Sequence, residues 1–215
     1  MANVILFDLD GTLTDPGIGI TNSVMYALKK MGREVPPRET LFPFIGPPLI
    51  WSFVNLCGCT GEEAKLGVQY YREYFSDIGI FENQVYPGIP ELLDRLRAAG
   101  KRIVMATSKP EDFAGRIAER FGLSARFDFI AGSRMDETRT AKAEVIQYAL
   151  ESVGVAPEDC LMVGDREHDV LGAAACHISC LGVLYGYGSR EELQNAGAIA
   201  LAEIPAEVGD WILTA

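Results

Sequence analysis

Asn3-Val4-Ile5-Leu6-Phe7-Asp8-Leu9-Asp10-Gly11-Thr12-Leu13-Thr14-Asp15 is the stretch from which the chain is read outward. Val4 to Phe7 are apolar at every position, as in a strand buried on both faces of a parallel sheet. Asp8 and Asp10 follow on either side of Leu9. At a period of two, both carboxylates leave the chain on the same side. Held that close they repel, and each resists ionising. A bound divalent cation that prefers oxygen ligands relieves the conflict. Gly11 permits a sharp turn, and Thr12 sets a hydroxyl beside the pair. A calcium-type loop, or a structural pair satisfied by its surroundings, is the competing reading of Asp-x-Asp taken alone.

Asp15-Pro16-Gly17 is a turn signal. Ile20, Val24, Ala27, Leu28 and Met31 then mark one helical face. Pro36-Pro37 opens an irregular stretch that runs through Phe42, Phe44 and Ile45 to Gly46-Pro47-Pro48. Leu49 to Leu56 reads as a helix, and Thr60-Gly61-Glu62-Glu63 is a capping-box pattern that opens another. Pro16 to about Asn83 is therefore helical throughout, interrupting the sheet-forming sequence as an inserted module does.

From Val85-Tyr86-Pro87-Gly88 onward, helix and strand alternate. Strands are expected at Arg102–Ala106, Phe127–Ala131, Cys160–Val163, Cys180–Leu184 and Ala198–Ala202. Helical faces lie between them, Ser189-Arg190-Glu191-Glu192 forms a second capping box, and Pro205–Leu213 is a terminal helix. Such alternation predicts an α/β fold, a doubly wound (Rossmann-like) parallel sheet with helices on both faces. Ligands bind such sheets beyond the carboxyl ends of their strands. Asp8, Thr107 and Asp165 each fall at such an end.

The 215 residues suffice for one large domain, or for a core with an inserted module. A net charge of −11 gives a surface that repels nucleic-acid backbones and anionic membranes, so neither is an expected partner. No apolar run reaches about 18 residues, the length that would cross a bilayer as a helix. Five cysteines in apolar surroundings, an odd count, point to reduced thiols and a cytoplasmic location. Cys57-Gly58-Cys59 lacks the usual two-residue spacer and any second pair, which disfavours a metal or redox site.

Asp8-Leu9-Asp10-Gly11-Thr12-Leu13-Thr14 resembles the signature of the haloacid dehalogenase superfamily. Thr107, Lys142 and Gly164-Asp165-Arg166-Glu167-His168-Asp169 resemble its three further motifs, in the right order. The resemblance covers essentially the whole chain. It implies a core of residues 1–14 and 86–215 and an inserted all-helical cap of residues 15–85. The insertion and Leu184-Tyr185-Gly186-Tyr187-Gly188-Ser189-Arg190 are similar to phosphoglycolate-phosphatase-like and 5′-nucleotidase-like members.

In that family Asp8 would be the nucleophile and Asp10 the general acid and base. Thr107, Ser108 and Lys142 would bind phosphate. Ser108 departs mildly from the Asn often found after that Thr in similar members. Mg²⁺ would be held by an Asp8 oxygen, the Asp10 carbonyl and Asp165, with Asp169 supporting through water or Lys142. Phe44-Ile45-Gly46-Pro47-Pro48-Leu49 resembles the cap's substrate-specificity loop. Phe44, Gly46 and Trp51 are its candidate substrate contacts; Phe44 and Trp51 either pack the cap's own core or stack on a nucleobase.

The implied activity is Mg²⁺-dependent hydrolysis of a small phosphate monoester through an aspartyl phosphate. A nucleoside 5′-monophosphate is the first expected substrate class and 2-phosphoglycolate the second. The expected assembly is a monomer or weak homodimer. A phosphomutase, or a non-catalytic phosphate-binding or regulatory protein on the same scaffold, is the alternative.

Overall fold

The computed structural model describes residues 2–136 and 138–214. The chain forms two compact units, residues 1–14 with 85–215 and residues 15–84. It passes between them through two short strands, which pair as a ribbon. In chain order the elements are β1 (Val4–Phe7), β2 (Thr14–Asp15), α1 (Gly17–Lys30), α2 (Leu49–Cys57), α3 (Gly61–Phe75), β3 (Gln84–Val85) and α4 (Ile89–Ala98). There follow β4 (Arg102–Pro110), α5 (Glu111–Arg120), β5 (Phe129–Ser133), α6 (Lys142–Val153), β6 (Cys160–Gly164) and α7 (Glu167–Ala175). The chain ends with β7 (Ser179–Val183), α8 (Arg190–Ala196), β8 (Ala200–Ala202) and α9 (Pro205–Thr214). No helix among the described residues is long and apolar enough to cross a membrane.

The larger unit is built on a six-stranded sheet in the order β5-β4-β1-β6-β7-β8, with every pair parallel. Parallel neighbours need crossovers, and the helices that supply them cover the strands. Val4, Ile5, Leu6 and Phe7 are all buried, as their uninterrupted apolar run requires. Chain order reverses on either side of β1, which lies beside β4 and β6. That places the carboxyl ends of these three strands together, where open α/β sheets hold their ligands.

Two local expectations change here. β1 stops at Phe7, so Asp8 and Asp10 sit in the turn after it rather than on strand positions two apart. The Leu9 carbonyl accepts from the N–H groups of Thr12, Leu13 and Thr14, and this wraps the chain tightly around Leu9. Second, the strand expected to end at Ala106 runs on to Pro110 through an irregularity. Ala106 pairs with Ala131 and Pro110 with Ser133, so Thr107, Ser108 and Lys109 bulge opposite Gly132. A Cβ on Gly132 would lie 2.7 Å from the Lys109 carbonyl oxygen, so the bulge needs glycine there. Bulges of this kind re-aim side chains beside functional sites.

The smaller unit is helical between its two linking strands, with one 3₁₀ turn over Arg38–Phe44 and another over Gly79–Phe81. Thr60 caps α3 in a complete box: its hydroxyl accepts from the Glu63 N–H, and the Glu63 carboxylate accepts from the Thr60 N–H. Ser189 achieves only half of the corresponding arrangement. Its hydroxyl accepts from the Glu192 N–H, but the Glu192 carboxylate instead accepts from Arg166 Nε and the Glu167 N–H. Phe44 is 2% exposed and meets Phe53 edge-on, with ring centroids 5.3 Å apart.

Candidate active site

The turn after β1 supplies Asp8 and Asp10, the bulge of β4 supplies Thr107 to Lys109, α6 begins with Lys142, and the end of β6 leads into Asp165 and then Asp169 on α7. The Asp8 N–H donates to the Val163 carbonyl, extending the β1–β6 ladder by one bond and bringing Asp8 beside Asp165. Carboxylate oxygens of Asp8, Asp165 and Asp169 all lie within 4.8 Å of one another, and all three residues are buried.

Lys142 reaches two members of this cluster, Asp8 and Asp169. Lys142 Nζ donates to Asp8 Oδ1 at 2.7 Å and to the Ala106 carbonyl at 3.0 Å. It also lies 2.7 Å from Asp169 Oδ1, as an ion pair rather than a well-directed hydrogen bond. Its stem runs along α7 at Gly172, where a Cβ would sit 2.6 Å from Lys142 Cγ. A lysine at the first position of a helix opposes the macrodipole; two buried carboxylates compensate it. Burial alone would favour the neutral amine, but Asp169 and Asp8 outweigh it and raise the Lys142 pKa.

Asp165 is fully buried. Its Oδ2 accepts from the Tyr187 N–H at 2.9 Å, and the Thr12 hydroxyl lies 3.4 Å from its Oδ1. The loop Tyr185-Gly186-Tyr187-Gly188 closes over it. A Cβ on Gly188 would lie 1.8 Å from the Asp165 carbonyl oxygen, and one on Gly186 2.3 Å from the Gly11 carbonyl oxygen. Burial pushes the Asp165 carboxyl well above the usual carboxylate range, and the charges of Asp169 and Asp8 push it further. Burial likewise raises Asp169, with Lys142 opposing. Three buried carboxylates against Lys142, which pairs with two of them, and Arg166, whose charge acts on Asp165, leave an excess of negative charge. Hard oxygen donors at this spacing suit a small divalent cation such as Mg²⁺. On that ground the residues fit the metal that the sequence motifs imply.

The Asp10 carboxylate is not part of the cluster with Asp8. Both of its oxygens accept from Lys109 Nζ, at 2.7 and 2.5 Å, in a pair that is nearly inaccessible to solvent. Burial raises the Asp10 pKa, while Lys109 draws it down. Sequence reading assigned no role to Lys109. Its only signal was position: two residues beyond Thr107, just after an apolar strand.

Thr107 is buried, and its hydroxyl accepts from the Lys109 N–H at 3.2 Å; Ser108 is half-buried beside it. The structure therefore brings together Asp8, Lys142, Asp165 and Asp169, and sets Asp10 on its own lysine. His168 is outside the carboxylate cluster, and all five cysteines are free thiols. In the smaller unit, Phe44 is buried against Phe53, the core-packing alternative of the two expected for it. Trp51 is 48% exposed, and Gly46 has a φ of 106°, which favours glycine.

The profile of a family described as haloacid dehalogenase-like hydrolase matches residues 5–183, which carry every one of the core residues above. The chain is a haloacid dehalogenase-like hydrolase. This hydrolase is 50% identical over 190 residues to a 5′-nucleotidase of Pseudomonas aeruginosa, covering 88% of this chain and 86% of that protein. It is 42% identical over 188 residues to tyrosine-protein kinase PtkA of Mycobacterium tuberculosis, covering 87% of this chain and 64% of that one. Phosphoglycolate phosphatases are among its more distant relatives. The crystal structure of a predicted phosphatase from Clostridium acetobutylicum superposes with a TM-score of 0.98 at 45% identity, over all of both chains. This haloacid dehalogenase-like hydrolase is accordingly a phosphatase by family and by fold.

Proposed function

We propose that the protein is a Mg²⁺-dependent phosphatase that hydrolyses a nucleoside 5′-monophosphate through a phosphorylated Asp8. The observation that carries the chemistry is the buried trio Asp8, Asp165 and Asp169 with Lys142 at its centre. The nucleotide assignment is drawn from the relative named 5′-nucleotidase, which is half identical over most of both chains.

In this reading Asp8 Oδ attacks phosphorus as the ester oxygen leaves. A carboxylate nucleophile splits one difficult hydrolysis into two easier steps. Lys142 orients the Asp8 carboxylate through its hydrogen bond and neutralises the phosphoryl oxygens. The Thr107 hydroxyl and Ser108 donate to those oxygens. Asp10 gives its proton to the leaving oxygen, then takes one from the water that attacks the phosphorylated Asp8. Mg²⁺, held by Asp8, Asp165 and the Asp10 carbonyl with Asp169 behind them, would supply charge for the transferring group. Residues 15–84 would act as the cap, with Trp51 as the aromatic available to a base.

The test is phosphate release from nucleoside 5′-monophosphates, 2-phosphoglycolate, sugar phosphates and an aryl phosphate, with Mg²⁺ and with chelator. Nucleotide turnover that requires Mg²⁺ and is abolished in Asp8→Asn supports the reading. Preference for 2-phosphoglycolate would overturn the nucleotide assignment. Isomerised or transferred phosphate without net release would overturn hydrolysis.

A further inference from the structure

We infer that Lys109 is a positioning residue for Asp10, holding that carboxylate where it meets the ester leaving group; this rests on the phosphatase reading above. The two buried lysines of the site divide its charges. Lys142 is committed to Asp8, Asp169 and the Ala106 carbonyl. Lys109 bonds both oxygens of Asp10, and among the described residues no other side chain hydrogen-bonds that carboxylate. Without Lys109, Asp10 would be drawn toward Lys142, the other cation whose charge acts on it. It would then compete with Asp8 instead of facing the leaving oxygen.

The backbone is built to deliver Lys109. It lies in the bulge of β4 opposite Gly132, where the glycine leaves room for its carbonyl. Its N–H donates to the Thr107 hydroxyl, so the phosphate-binding candidate and the lysine are fixed as one turn. A bidentate contact constrains the direction of the Asp10 carboxylate as well as its place. In the proposed reaction the phosphorus–ester oxygen bond breaks as the Asp8–phosphorus bond forms, and the Asp10 proton passes to the ester oxygen. Asp10 recovers its proton from the water that attacks the phosphorylated Asp8, and Lys109 takes no part in the transfer. Placing a proton donor within reach in this way is worth roughly 10²–10⁴ in rate, and most where the leaving group is a poor one.

The experiment compares Lys109→Met with wild type in the full chain with Mg²⁺. Its readout is kcat/KM, which covers steps up to formation of phosphorylated Asp8. The substrates are p-nitrophenyl phosphate, whose leaving group needs little protonation, and a nucleoside 5′-monophosphate, whose alkoxide needs it. The expected result is a loss on the order of 10²-fold or more on the nucleotide and under about 10-fold on the aryl ester. A purely structural lysine would lower both by one factor, and that result would overturn the inference. Because Lys109→Met strands a buried carboxylate, Lys109→Met/Asp10→Asn, which removes both charges, is measured against Asp10→Asn. Equal rates support the inference, and a further loss equal to that of the single lysine variant sinks it. Undiminished turnover by Asp8→Asn would instead overturn the phosphorylated-Asp8 reading on which the inference rests.

Discussion

Lys142→Met isolates the electrostatics of the site from its packing. Methionine keeps an unbranched apolar stem beside Gly172 but removes the ammonium that serves Asp8 and Asp169. Breaking a buried ion pair by deleting one partner costs about 3–5 kcal/mol, because the other charge stays buried. Here one lysine serves two carboxylates that also repel each other, so the two losses are coupled and are not summed. In a chain of this size 1 kcal/mol moves Tm by about 2–4 °C, so the expected fall is roughly 6–20 °C.

The sign of the pH dependence sharpens the test. Burial already holds the folded-state pKa of Asp169 above its unfolded value near about 4, and with the opposing lysine gone it rises further. Stability linked to a raised carboxyl is present below the unfolded value and is lost as pH climbs through the folded one. The deficit relative to wild type should therefore be small near about pH 5 and large near about pH 8. Thermal unfolding followed by circular dichroism in chelator reads both. A variant that melts with wild type at both pH values would refute the reasoning, because the carboxylates would then not depend on Lys142.

Asp165→Asn should melt higher than wild type in chelator, with the gain growing as pH rises through the elevated pKa of Asp165, yet lose the Tm increase that Mg²⁺ gives wild type; calorimetry with and without the ion checks both arms. Gly188→Ala must displace the loop over Asp165, because its Cβ would fall 1.8 Å from a carbonyl oxygen; Mg²⁺ affinity by titration calorimetry should drop about 10–100-fold. Thr60→Ala removes the α3 cap and should cost about 1 kcal/mol, seen as faster hydrogen exchange in the first turn of α3.

The elements of this fold were legible because their signals are local. The unbroken apolar run of β1 announces a strand buried on both faces, the Thr60 box starts α3, and Gly58 and Gly154 end α2 and α6 in the left-handed conformation. Asp8, Thr107 and Asp165 were legible because each falls at the carboxyl end of a strand that periodicity reveals, whereas Asp10, Lys142 and Asp169 took their roles from the resemblance to the haloacid dehalogenase superfamily.

What tertiary structure alone decided was partnership. Asp10 and Lys109 are 99 positions apart, and nothing local to either shows that they meet. The bulge that aims Lys109 depends on how β4 registers against β5, which hydrophobic alternation does not encode. The loop at Tyr187 becomes a clamp on Asp165 only because β6 and β7 are neighbours in the sheet. Phe44 and Trp51 look alike as aromatics beside a glycine-proline turn; only the packing of Phe53 separates the buried one from the exposed one. Sequence by itself determined the elements, through periods that hold within one element, and the groups that could carry the chemistry, through their resemblance to a known set of motifs. Which carboxylate holds which lysine follows from distances between elements, and those exist only once the sheet has closed around them.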